Sequence, residues 1–195
     1  MQSYTLLRFS LYSIVIRQTL MRCVVQRVTS ATVEVEGKSR SIGVGLCVLA
    51  GIAPNDGNKD IQWMLNKLLN LKIFSTSHQA SIDGVTRHEE KKWGHALSEI
   101  EGGLLLVSQF TLYHITKGTR LDFHKACEFE KAHQIFSQLI DGCKKTLGDR
   151  VQTGFFGEHM KLSLTNDGPV TLVLESPFST RTDSSSSPGS EPSNI

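Results

Sequence analysis

Two runs of alternating apolar and polar residues, joined by Asn166-Asp167-Gly168-Pro169, constrain this chain more than any other feature. Met160, Leu162 and Leu164 alternate with Lys161, Ser163 and Thr165; Val170, Leu172 and Leu174 alternate with Thr171, Val173 and Glu175. A period of two puts successive side chains on opposite faces of a sheet, so both runs predict half-buried strands. The chain between them has to turn or jog. Gly168 reaches backbone angles closed to residues with a Cβ. Pro169 fixes φ and lacks an N–H, and an X–Pro bond is where the cis form is accessible. A surface β-turn accounts for these residues. So does a rigid loop whose carbonyls point at a ligand.

The other elements follow from periodicity. Cys23–Val28 and Ala31–Glu36 read as two strands, with Gly37-Lys38 as a turn. Leu46–Gly51 is a continuous apolar run, as in a strand buried on both faces. Ile61, Met64, Leu65, Leu68 and Leu69 have helical spacing, with Asp56 or Asn58 as the cap. Ile73-Phe74 starts another strand. Residues 75–103 are polar, with Trp93 as the one strong apolar anchor, and are left unassigned. Leu104–Tyr113 predicts the best strand in the chain. Lys117-Gly118-Thr119-Arg120 is a basic loop. A second helix is expected from Glu128 to Leu147, with Phe129, Ala132, Phe136, Leu139, Ile140 and Cys143 on one face and Gly148 at its end. The expected fold is a single α/β domain. Its mixed β-sheet is layered or barrel-like, with two main helices on one side.

A length of 195 residues suits one domain with tails. Residues 1–20 contain Arg8 and Arg17 and no acid, weakly like an organelle transit peptide; Arg8 makes them a poor membrane span. Residues 177–195 are Ser/Pro-rich and expected to be disordered. The domain proper is then 21–176, and it is almost neutral, which argues against wrapping long nucleic acid. A small site for an RNA end remains compatible with that charge. Cys23, Cys47, Cys127 and Cys143 form no CxxC pair, so a reducing compartment such as the cytoplasm is expected, with neither disulfide frame nor zinc site.

Several common catalytic signatures are missing: GxSxG, HExxH, the P-loop and a full GxGxxG. The seven histidines show no ligand spacing, and no metal or cofactor is expected. The polar residues Ser108-Gln109-Phe110-Thr111 end an apolar strand, where burial is costly unless they are satisfied. They cap the sheet edge or line a pocket. In a pocket, Thr111 or Ser108 is a nucleophile without a visible base, or the backbone N–H groups face a developing oxyanion.

Five segments together resemble one family. They are Met21-Arg22-Cys23-Val24-Val25-Gln26-Arg27-Val28, Ser108-Gln109-Phe110-Thr111-Leu112, Lys117-Gly118 to Asp122-Phe123-His124, Phe156-Gly157 to Met160, and Asn166-Asp167-Gly168-Pro169-Val170-Thr171. In that order they resemble the D-aminoacyl-tRNA deacylases of the Gly–cis-Pro type. The resemblance implies a homodimeric hydrolase of translation quality control. It cleaves the ester of D-aminoacyl-tRNA, and of mischarged glycyl-tRNA, to release free tRNA. Gly168-Pro169 of one subunit would enter the other subunit's site, bind the substrate amino group and collide with an L side chain. Arg27 would support that loop. Ser108, Gln109, Phe110 and Thr111 would line the ester, with amides near Phe110 and Thr111 on its carbonyl oxygen. Phe156 and Met160 would flank the terminal adenosine. The RNA's own 2′-OH would help activate water, so Thr111 need not be a nucleophile. Lys117 and Arg120 are candidates for phosphate contacts. Two rivals remain: a nucleic-acid-binding protein without catalysis, and an esterase built on Thr111 or Ser108.

Overall fold

Strand β1 (Arg22–Val35) is the hub of the sheet. On one edge it pairs antiparallel with β3 (Gly45–Gly51) over its first half and with β2 (Lys38–Ile42) over its second. Along the other edge it pairs with β8 (Lys161–Glu175). β4 (Gly103–Ser108) continues the sheet parallel to β3, and β7 (Val151–Thr153) parallel to β4. A separate hairpin joins β5 (Ile115–Lys117) and β6 (Arg120–Asp122). The computed structural model describes residues 20–78 and 92–177. Apart from Leu20 and Pro177, the expected leader over residues 1–20 and the expected disordered tail over 177–195 lie outside the described residues, as does the middle of the 75–103 stretch.

The sheet has two cores, one on each face. Cys23 and Val25 of β1, Leu46 and Val48 of β3, and Leu104 and Leu106 of β4 face the helices. Val28, Ala31, Val33, Cys47, Leu105 and Val107 face a second, smaller core. On β3 and β4 this is plain alternation. On β1 and β8 the two halves of one strand serve different cores, so each strand must change face midway. β1 does so by register shifts between Arg27 and Ser30, where Thr29 is the extra residue. β8 does so with Asp167, Gly168 and Pro169, which are skipped between Val28↔Asn166 and Arg27↔Val170. As a result Leu162 and Leu164 pack on the smaller core, while Leu172 and Leu174 pack on the helix side. The link between the two alternating runs is therefore a jog within one long strand rather than a β-turn. Likewise Cys23–Val28 and Ala31–Glu36 are one bent strand, because β8 runs continuously beside both.

The sheet curls toward a barrel around the smaller core. Arg40 of β2 fastens the closure: its Nη1 donates to the carbonyl of Thr153 at 2.9 Å and to Thr153 Oγ1 at 2.7 Å. Its guanidinium lies 4.2 Å above the Phe155 ring.

The two long helices among the described residues, α1 (Asn58–Asn70) and α2 (Phe129–Leu147), cover the same face, as expected. Their caps differ from the expectation. α1 is capped at Gly57, whose amide donates to the Asp60 carboxylate at 3.0 Å, because Asp56 turns back to accept from the Ala53 amide at 2.6 Å. Glu128 lies just before α2 and caps it, accepting from the amides of Glu130 and Lys131. The helices cross closely: a Cβ at Gly142 would come within 2.4 Å of Leu65 Cδ1. Ile73-Phe74 starts no strand; Phe74 makes only an isolated bridge with His95.

The last described residues are tied back to the start of the domain. The buried Ser176 donates its hydroxyl to Asp60 Oδ1 at 2.6 Å and its amide to the Met21 carbonyl. Among the described residues no helix is long and apolar enough to cross a membrane.

Candidate active site

The strand expected over Leu104–Tyr113 stops at Ser108. Gln109 makes one more ladder bond, from its amide to the Ala50 carbonyl at 2.8 Å, and Phe110–Tyr113 then coil into a 3-10 helix. β3 ends at Gly51, so no neighbouring strand remains for a longer β4. Tyr113 locks the bend: its buried hydroxyl lies 2.8 Å from the Leu20 carbonyl and 2.9 Å from that of Gly51. Burial pushes this phenol's pKa up. A 3-10 helix opens with amides that have no helical carbonyl ahead of them. Those of Phe110 and Thr111 have no backbone acceptor among the described residues. Two N–H groups are thus offered side by side at the end of the central strand.

This segment borders a pocket of about 180 Å³ lined by Ala50, Ile52, Ser108, Gln109 and Phe110 on one side and by Phe129 and Phe156 on the other. Phe129 sits in the first turn of α2 and is 56% exposed. The expected apolar face of α2 therefore starts later, and includes Ile135, which the spacing had not marked. Phe129 meets Phe156 edge to face at 5.2 Å between ring centroids. Phe110, 58% exposed, meets Phe123 in the same way at 5.1 Å. The Gln109 side-chain amide donates to Thr111 Oγ1 at 2.5 Å. That partner is an amide, which cannot take the proton of the Thr111 hydroxyl as a base. Met160 is placed apart from this pocket: it packs against the smaller core, where its sulfur accepts from the Phe155 amide at 3.2 Å.

The basic loop is a hairpin, β5–β6, turned at Gly118 with φ +62°. Lys117 is committed within it, paired to Asp122. Asp122 also accepts from the His124 amide at 2.9 Å and lies 2.5 Å from His124 Nδ1. Lys117 first, then the His124 amide and ring, hold the Asp122 carboxyl well below the usual carboxylate range. Arg120 has no ion-pair partner among the described residues.

Gly168-Pro169 lines a different cleft of about 610 Å³, which shares no lining residue with the first. The Gly168–Pro169 peptide is cis. Gly168 has φ +114°, and a Cβ there would lie 3.0 Å from Val170 Cγ2 and 3.2 Å from Arg27 Nη2. Arg27 is the pivot of this region. Its Nη1 donates to the Ile73 carbonyl. Its Nε is 2.9 Å from Asp167 Oδ2, close enough to pair charge without being aligned as a hydrogen bond. Trp93, expected to anchor in the core, is 53% exposed and lies over the Arg27 guanidinium, 5.6 Å from carbon to ring centroid. On the far side of Asp167 stands His78, with Nε2 2.7 Å from the same Oδ2. His78 went unmarked in the sequence because its partner is remote: His78 and Asp167 are 89 residues apart. Among the described residues no three His, Cys, Asp or Glu side chains gather as a metal site requires.

The fold is an α/β domain whose strand-end pocket is bordered by backbone amides and aromatic rings. The family model described as D-Tyr-tRNA(Tyr) deacylase matches residues 24–175, and the chain belongs to that family. A D-aminoacyl-tRNA deacylase of Prosthecochloris aestuarii is 46% identical over 159 residues, 80% of this chain and 100% of the relative. One from Drosophila melanogaster is 39% identical over 165 residues, 84% of this chain and 97% of the relative. Among solved structures, a c-Myc DNA unwinding element binding protein superposes with a TM-score of 0.70 at 37% identity, covering 80% of this chain and 99% of its own. A probable eukaryotic D-amino acid tRNA deacylase shares the fold, with a TM-score of 0.68 at 18% identity over 80% of this chain and all of its own.

Proposed function

We propose that this chain hydrolyses the ester of D-aminoacyl-tRNA, releasing the D-amino acid and free tRNA, and spares L-aminoacyl-tRNA. Membership of the family supports the reaction. The observation that carries the mechanism is the pair of unpartnered amides at Phe110 and Thr111 beside an aromatic-walled pocket. Amides fixed at the end of a strand stabilise a developing oxyanion without reorganising. Ser108 and Gln109 frame the ester. The Thr111 hydroxyl is held by the Gln109 amide rather than by a base among the described hydrogen bonds, and in this reading the attacking group is water, activated with help from the RNA 2′-OH.

In this reading the terminal adenosine stacks at Phe156, and Met160 supports the Gly154–Phe155 backbone behind it. Chirality is checked by Gly168-Pro169 with Arg27 behind it. Because the two motifs line separate clefts of one chain, we place the loop in the pocket of a second subunit, in a homodimer. Glycine, which lacks a side chain to collide, would also be released from a wrong tRNA. Arg120, unlike the committed Lys117, is available to a phosphate. We place the activity in the cytoplasm.

The test is release of amino acid from D-Tyr-tRNA and L-Tyr-tRNA, side by side, by the purified chain. Rapid release from D alone is expected. Equal release from both would overturn the clash mechanism, and RNA binding with no release would leave a binding protein.

A further inference from the structure

The cluster around Asp167 holds a residue with no part so far in the reaction. His78 accepts the Ser75 amide on Nδ1 at 3.1 Å and lies 2.7 Å from Asp167 through Nε2. A backbone amide can only donate, so Nδ1 is an acceptor and the ring proton sits on Nε2. A doubly protonated ring would set an N–H against the Ser75 N–H. In that tautomer the imidazole donates to Asp167 Oδ2, the same oxygen that lies 2.9 Å from Arg27 Nε. Asp167 directly precedes Gly168 in the three residues by which β8 departs from register. Its carboxylate is the grip by which that departure is held.

A serine, a histidine and an aspartate in sequence also raise the question of a nucleophilic triad, since Ser75 Oγ is 2.7 Å from His78 Nδ1. The geometry is against it. Nδ1 already takes the Ser75 amide, Ser75 is only 7% exposed, its hydroxyl is also 2.5 Å from Ser77 Oγ, and Arg27 neutralises the aspartate. A general base needs a free lone pair and an accessible nucleophile.

We propose that His78 is a positioning residue for substrate chirality: as a neutral Nε2–H donor it clamps Asp167 against Arg27 and so fixes the Gly168-Pro169 element. This rests on the deacylase reading above. Arg27 alone binds the carboxylate from one side and leaves the loop free to swing about that contact. The second donor removes that freedom.

The experiment compares kcat/KM on D-Tyr-tRNA and L-Tyr-tRNA for the full chain and for His78→Leu and His78→Gln. Leu fills the space without a donor; Gln can return an N–H near the place of Nε2. His78→Leu is expected to lower the D-to-L preference on the order of tenfold, the size of one hydrogen bond to a charged group. His78→Gln is expected to recover most of it. A purely structural role would move both variants alike and leave the preference untouched, which would overturn the proposal. A parent chain with no D preference would sink the underlying deacylase reading as well. A parent with a strong preference that His78→Leu retains would sink only the role of His78. If His78→Leu does not fold, imidazole ¹⁵N shifts of the parent decide: a proton on Nδ1 rather than Nε2 overturns the clamp.

Discussion

At Ser108–Tyr113 the chain offers backbone; at Arg27, Asp167 and Gly168 it offers fixed charge. The first region is shaped by where strands end. β4 loses its neighbour at Gly51, coils, and exposes two amides that almost any side chain at 110 and 111 would leave in place. The second is shaped by side chains that converge on one carboxylate oxygen from 27 and 78. Such a difference separates two kinds of sensitivity. A site made of amides tolerates substitution of its named residues, and one made of a charge cluster fails when any member goes.

The comparison breaks most sharply at Gly168. Gly168→Ala places a Cβ at a positive φ and crowds Arg27 and Val170. Misplacing this element by even an ångström is expected to cost roughly a hundredfold in kcat/KM on D-Tyr-tRNA. Single-turnover deacylation would read it, and a variant within a few-fold of the parent would show the region to be tolerant. Arg27→Ala comes next. It takes the only cation from the Asp167 carboxylate among the described ion pairs with Lys or Arg, leaving it to His78, and leaves the Ile73 carbonyl without its donor, so about 3 kcal/mol of stability should be lost on urea denaturation. Arg27→Lys should recover little, because an ammonium cannot make the forked contacts.

In the backbone-built region, Phe156→Ala tests the aromatic wall. Base stacking is worth about 1–3 kcal/mol, so KM for D-Tyr-tRNA should rise by about tenfold with kcat nearly unchanged. A loss confined to kcat would instead assign the ring to the chemistry. Asp56, in the loop behind this pocket, adds a dependence on pH. Burial raises its pKa from 3.8 to about 7, against a partial lowering by the Ala53 amide. The folded chain thus holds a proton that the unfolded chain has already lost, so this group's contribution to stability falls as pH rises from about 4 to about 7. Asp56→Asn should lack that fall: its melting temperature relative to the parent should be higher at pH 8 than at pH 5. An unchanged difference would mean the carboxylate is solvated. The smallest effect is expected at Thr111. Thr111→Val removes one neutral hydrogen bond to Gln109, and turnover should stay within about threefold. A collapse of activity there would revive the esterase reading.

Much of this was written in the periodicity. The alternating runs around 166–169, the helical spacing from Ile61 and the six-residue face on α2 marked strands and helices on the right segments. The errors fall where tertiary context overrides a local pattern. LLLVSQFTLY alternates well enough for a strand, but its second half has no partner to pair with. Phe129 obeys the helical period, yet lies in the first turn beyond the reach of the core and walls a pocket instead. The α1 cap was misassigned by one residue, because Asp56 accepts from the Ala53 amide instead. Gly168, Pro169 and Arg27 stood out through their motifs. His78 did not, since a histidine in a polar stretch carries no sign of an aspartate 89 residues away.

The three residues by which β8 leaves register also set how this family member can and cannot vary. Leu164 and Leu172 have the same parity, and only an odd number of extra residues lets one face the barrel and the other the helices. Removing one residue from 167–169, or adding one, would turn the whole 170–175 segment inside out. The length of this three-residue departure is therefore dictated by the sheet that carries it. Substitutions at neighbours such as Arg27 and His78 leave that parity intact, whereas single-residue changes in length do not.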